Sequence, residues 1–98
     1  MTIFKQSLMD TLYFGCEADE GHPCEVRISN GEIVVDYISD GERVLYRGID
    51  DGSGHYQLDC PDVDGRATLH RLSPNSSILE GSWLEGGNRG MWKIHLSE

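Results

Sequence analysis

Turn signals, most of them built on glycine, punctuate this chain at short, regular intervals. Asn30-Gly31, Asp40-Gly41, Asp51-Gly52-Ser53-Gly54, Asp64-Gly65, Pro74-Asn75-Ser76-Ser77 and Gly86-Gly87-Asn88 follow one another about 10–13 residues apart. Asn-Gly and Asp-Gly suit tight hairpins because both positions tolerate a positive φ. Between the turns the side chains alternate. Ile33, Val35 and Tyr37 oppose Glu32, Val34 and Asp36, and Tyr56, Leu58 and Cys60 oppose His55, Gln57 and Asp59. Val44 and Tyr46, Ala67 and Leu69, and Trp92, Ile94 and Leu96 repeat the pattern. A period of two is the mark of a strand with one dry face and one wet face.

The pattern predicts eight strands in one domain over residues 1–98. Thr11–Cys16 is expected as the first, with Leu12, Phe14 and Cys16 inward. Leu79–Leu84 is expected as the seventh, with Leu79, Gly81 and Trp83 inward. Ile3, Phe4 and Leu8 have the spacing of one helix face, so residues 1–10 are expected to form a short helix or a flap. Eight strands joined by tight turns make an antiparallel meander. Closing it as a small up-and-down, calycin-like barrel removes both exposed edges, and a two-sheet β-sandwich is the alternative. Gly15, Gly48, Gly81 and Gly90 stand within or beside strands, where a small barrel needs its bends.

Leu79-Glu80-Gly81-Ser82-Trp83 and Arg89-Gly90-Met91-Trp92 share a Gly-x-Trp pattern, as expected for neighbouring strands of one hairpin. In strand count and connectivity the chain resembles small calycin-type barrels such as lipocalins and fatty-acid-binding proteins. Those carry Gly-x-Trp on the first strand, whereas here both copies stand on the last two. The resemblance is one of architecture, and no family or function follows from it.

Seventeen acidic against eight basic residues give a formal net charge of -9. Such a surface repels phosphate backbones and anionic bilayers, which argues against nucleic acid and membranes as partners and suits a basic protein partner. Nothing resembles a secretory leader, and three cysteines fit reduced thiols better than a disulfide framework, so a cytoplasmic location is expected.

Few residues suggest chemistry. Cys16, His22 and Cys24 put three soft ligands within nine residues of an acidic stretch, making them metal candidates; a Cys16–Cys24 disulfide is another use of the same pair. Their spacing matches no common zinc pattern, and the plainer reading is an acidic loop flanked by core cysteines. The Asp-rich turns lack a calcium-loop pattern and serve as turns. His55, His70 and His95 are expected to point outward. No nucleophile elbow, zincin pair or phosphate-cradling loop is present, and neither an enzyme nor a cofactor is expected.

Two surfaces remain. Tyr37, Tyr46, Tyr56, Trp83 and Trp92 fall on the inward face, where they would line an interior pocket for a small apolar ligand. Val34, Ile38, Leu45, Ile49, Ile78 and Leu84 fall on the nominally wet face, more apolar residues than scattered exposure requires. The first functional expectation is therefore a small, acidic, non-enzymatic module that binds another protein or a second copy of itself. A carrier of small apolar ligands is the second, and a metal protein or enzyme at Cys16–Cys24 the third.

Overall fold

The computed structural model describes residues 2–29 and 31–98. They form a closed barrel of eight antiparallel strands, each hydrogen-bonded to its sequence neighbours, with the last paired back to the first. The strands are β1 (Thr2–Leu12), β2 (Asp19–Ser29), β3 (Glu32–Ser39), β4 (Glu42–Asp50), β5 (His55–Cys60), β6 (Gly65–His70), β7 (Ile78–Glu85) and β8 (Asn88–His95). A single 3-10 turn, Pro61–Val63, joins β5 to β6. No helix among the described residues is long and apolar enough to cross a membrane.

The turn chemistry does what its residues allow. Asp40 and Gly41 both take positive φ, 51° and 79°, matching the twist of β3 and β4. Gly86 and Gly87 do the same between β7 and β8, at 53° and 92°. In the first of the expected turns, Gly31 has φ 80°, and Asn30 lies outside the described residues.

The opening segment departs from expectation. It is neither helix nor flap but the long strand β1, which pairs with both β2 and β8 and so closes the barrel. Its apolar spacing is helix-like because a register shift between Phe4 and Ser7 inserts a bulge. Phe4 packs against the core on one phase, and Ser7 and Met9 are buried on the other. Two free sheet edges cost more than the local spacing gains, so pairing decides the structure. The bulge is tied off by hydrogen bonds. The Ser7 hydroxyl donates to the Phe4 carbonyl at 3.0 Å and accepts from the Ser97 amide at 3.1 Å.

As a result the expected first strand is displaced. Tyr13 to Cys16 form a turn, in which the Cys16 amide donates to the Tyr13 carbonyl at 3.1 Å and Gly15 takes φ 78°. Phe14 is 96% exposed and Cys16 is exposed; neither faces the core. Most of the expected acidic loop between Cys16 and Cys24, from Asp19 on, is the start of β2.

The two Gly-x-Trp segments meet across β7 and β8, where Gly81 stands opposite Trp92 and Trp83 opposite Gly90. Each indole therefore has a glycine as its cross-strand neighbour. A Cβ on Gly90 would stand 2.6 Å from Trp83 Cζ2, and one on Gly81 only 1.7 Å from the Thr68 carbonyl oxygen of β6. Val26, Ile33, Val35, Tyr46, Leu58, Leu69, Leu79 and Ile94 fill the middle of the barrel with essentially no exposure.

Candidate functional site

In an up-and-down barrel the connections β1–β2, β3–β4, β5–β6 and β7–β8 all emerge at the same end. Here those connections, residues 13–18, 40–41, 61–64 and 86–87, contain Glu17, Asp40, Asp62 and Asp64 and no Lys or Arg. The interior at this end is not filled. A half-open cavity of about 140 Å³ lies among Tyr13, His22, Tyr37, Trp83, Trp92 and Glu85, with Asp19 and Thr11 at its rim.

Period-two alternation places these groups. Along β7 the inward series Leu79, Gly81, Trp83 continues to Glu85, so a carboxylate is delivered into the mouth of an otherwise apolar barrel. The rings form one connected wall. Trp83 and Trp92 lie 6.3 Å apart between centroids at a shallow tilt. Tyr13 stands edge-on to Trp83 at 5.5 Å, and Tyr37 and Tyr46 stand edge-on to Trp92 at 6.1 and 5.0 Å. These are the offset and T-shaped arrangements that ring quadrupoles favour. Tyr13 is half exposed, so the outer edge of the wall meets solvent.

Glu85 is held from behind. The buried Tyr46 hydroxyl donates to its Oε1 at 2.7 Å. Gly65 leaves the space for that hydroxyl, because a Cβ there would lie 2.2 Å from it. Burial, then the bond to Glu85, pushes the Tyr46 phenol far above its ordinary range; burial, then the Glu85 charge, does the same to Tyr37. Both therefore stay neutral hydroxyls at any physiological pH. Among the described residues no Lys, Arg or His approaches the Glu85 carboxylate within ion-pair distance. The Trp83 indole N–H is buried and has no hydrogen-bond partner among the described residues. At the rim, His22 packs edge-on against Tyr37, and its Nε2 lies 2.7 Å from the Ile38 carbonyl oxygen, to which it donates.

Tyr37, Tyr46, Trp83 and Trp92, four of the five residues expected inside the barrel, are thus brought together. Tyr56 is not. It pairs in register with Asp50 at the far end of β4 and faces a separate cleft beside Arg71 and Leu72. The expectation of one interior pocket lined by all five fails for Tyr56, which begins β5, one strand length from Tyr37. Glu85, Tyr13 and Asp19 were missed. Alternation along β7 carries a signal for Glu85, whereas Tyr13 stands inside the segment Thr11–Cys16, whose pattern predicts a strand.

The metal candidates are separated. Cys16 is exposed in the β1–β2 turn, while Cys24 points into the core, where burial raises its thiol pKa to about 12. All three cysteines are free, so no Cys16–Cys24 disulfide is formed. No group of three or more His, Cys, Asp or Glu among the described residues is placed to hold a metal ion.

The six outward apolar residues are spread around the barrel. Val34, Ile38, Leu45 and Ile49 lie on β3 and β4, and Ile78 and Leu84 on β7, across the barrel wall. Val34 is 4% exposed although it faces outward, because it pairs with Arg27 on one side and Arg47 on the other. The stems of long basic side chains cover apolar neighbours in this way. Ile38 is 55% and Ile49 71% exposed, but Ile38 stands opposite Arg43 and Ile49 opposite Glu32 and Gln57, which interrupts the apolar surface.

No family model, curated protein or solved structure matches the chain.

Proposed function

We propose that the protein is a non-enzymatic binding module whose acidic, aromatic barrel mouth receives a small cationic head group, an alkylammonium or guanidinium carried by a basic protein partner. The observation that supports this most directly is Glu85: an inward-facing carboxylate without a cationic partner among the described residues, set among the rings of Tyr37, Trp83 and Trp92. Ring faces attract a cation by about 0.5–2 kcal/mol each, more as the site is desolvated. A carboxylate beside them adds charge pairing that neutral ligands do not receive.

Size and field agree. The cavity of about 140 Å³ is comparable to one that holds a single benzene ring (~150 Å³). Pockets for drug-sized ligands start at roughly 300 Å³. With the middle of the barrel packed, this favours a single head group over the apolar cargo of a carrier. The net charge of -9 and the acidic connections around the mouth would draw basic partners toward it. Three free thiols suit a reducing compartment, and we place the protein in the cytoplasm.

The test is a titration with choline, with its neutral isostere 3,3-dimethylbutan-1-ol and with an Arg/Lys-rich peptide, read by tryptophan fluorescence and by the indole N–H resonances. The cations should perturb Trp83 and Trp92 where the neutral isostere does not. Glu85→Gln should weaken cation binding by about tenfold or more, and added salt should weaken it as well. Equal binding of choline and its isostere, or cation effects confined to residues outside the mouth, would refute the proposal.

A further inference from the structure

At the other end of the barrel a different pair of side chains is brought together. His55 opens β5 and His70 closes β6, and the two are direct cross-strand partners on the outer face. Their rings lie 4.7 Å apart between centroids, tilted by 52°, and His55 Nδ1 is 2.8 Å from His70 Nε2. Both side chains are exposed. We propose that this pair is a two-imidazole site for a divalent late transition metal, with Cu²⁺ and Ni²⁺ preferred over Zn²⁺.

The nitrogen separation carries the proposal. Metal–imidazole bonds are about 2.0–2.1 Å long. Two such bonds at a right angle hold their nitrogens about 2.9 Å apart; at the tetrahedral angle the separation is about 3.4 Å. The observed 2.8 Å fits the right angle. Right-angled nitrogen and oxygen donors are the preference of Cu²⁺ and Ni²⁺, whereas Zn²⁺ favours the tetrahedral arrangement. The affinity order of divalent ions, in which Cu²⁺ stands highest, points the same way.

The backbone presents the two rings in advance. Directly opposed residues on antiparallel strands hold their Cβ atoms about 4.5–5.5 Å apart. The turn before His55 is ordered by its own hydrogen bonds. Ser53 donates its amide to Asp51 Oδ1 at 2.9 Å, and the His55 amide donates to the Ser53 hydroxyl at 3.3 Å. The Asp51 carboxylate, held below the usual range by Ser53 and more weakly by His55, lines the same cleft as His55. Glu80 stands opposite His70 on β7. Two carboxylates beside two imidazoles favour a dication over an anion. With two protein nitrogens as direct ligands, water fills the remaining positions.

The full-length chain, in a Cys16→Ser background that removes the exposed thiol, is titrated at pH 7.5 with CuCl₂, NiCl₂ and ZnCl₂ by calorimetry. One saturable site is expected, with affinity in the order Cu²⁺ above Ni²⁺ above Zn²⁺. The Cu²⁺ spectrum in electron paramagnetic resonance should show two nitrogen ligands. His55→Gln and His70→Gln should each weaken Cu²⁺ binding by about tenfold or more, a loss of the size that removal of metal-site residues produces. His95→Gln should leave it unchanged. The altered side chains are exposed, and circular dichroism of each variant verifies the fold. Absence of a saturable site, or a site that survives His55→Gln, overturns the proposal and leaves an imidazole–imidazole hydrogen bond.

Discussion

Tyr46 and Glu85, 39 residues apart in sequence, are joined by one hydrogen bond of 2.7 Å that fixes the only carboxylate of the barrel mouth held by a core side chain among the described residues. The donor is fully buried and the acceptor is half-buried and charged. Hydrogen bonds to charged groups contribute about 1.5–3 kcal/mol. Because Glu85 keeps some access to water, the lower part of that range applies. Tyr46→Phe should therefore lower stability by roughly 1–2 kcal/mol in urea denaturation, with an unchanged m-value. In the choline titration the same variant should bind more weakly, because Glu85 loses its orientation while keeping its charge. A variant as stable as the parent would mean that the bond is not formed in solution.

Gly81 should tolerate no side chain. Its backbone is ordinary for a strand, so the objection to alanine is one of space: the added Cβ would fall 1.7 Å from the Thr68 carbonyl oxygen. That atom belongs to the β6 backbone and moves only if the strand moves. Overpacking costs about 1–3 kcal/mol, occasionally more, and a backbone clash belongs at the top of that range. Gly81→Ala should lower the melting temperature by more than ten degrees, since each kcal/mol shifts a domain of this size by about 4–8 °C. A shift of only a degree or two would show that β6 and β7 separate easily.

The cysteines should fall into two classes. Cys16 lies exposed in the β1–β2 turn, whereas Cys24 and Cys60 are buried, and the Cys24 thiol is raised to about 12. Only the thiolate reacts, so a native sample at pH 8 should release one equivalent of colour with a thiol-specific disulfide reagent. The other two should appear only on adding denaturant. Two fast equivalents would place Cys24 or Cys60 at the surface and contradict the inward phase of β2 or β5.

The architecture was legible because its signals were local. Asp40-Gly41 and Gly86-Gly87 specify hairpins without help from the rest of the chain, and alternation from Glu32 onward sets which residues face inward. β1 was illegible for the same reason. Its bulge between Phe4 and Ser7 breaks the period, and its strand identity comes from pairing with β8, about eighty residues away. The site divides in the same way. Tyr37, Trp83 and Trp92 were visible from alternation, whereas their grouping apart from Tyr56 depends on which end of β4 each strand meets. The His55–His70 pair needed the register of β5 on β6, fixed by the 3-10 turn at Pro61–Val63.

Asp10 supplies a pH-dependent contact that locks β1 in place. Its carboxylate accepts the Gly21 amide of β2 at 3.0 Å and lies 3.0 Å from His95 Nε2 of β8. The Gly21 bond first, and His95 second, hold the carboxyl below its ordinary range. A depressed carboxyl stabilises the fold above its unfolded pKa of about 3.9, and that contribution is lost as pH falls through the folded value. Its partner His95 is half exposed, so the contribution is limited to about 1 kcal/mol or less. Asp10→Asn keeps an oxygen to accept the Gly21 amide but has no charge to titrate. It should be slightly less stable than the parent at pH 6 and should lose less stability between pH 5 and pH 3, so the two urea midpoints converge in acid. Parallel curves over that range would assign the acid sensitivity to other carboxylates and leave β1 held by its backbone ladder alone.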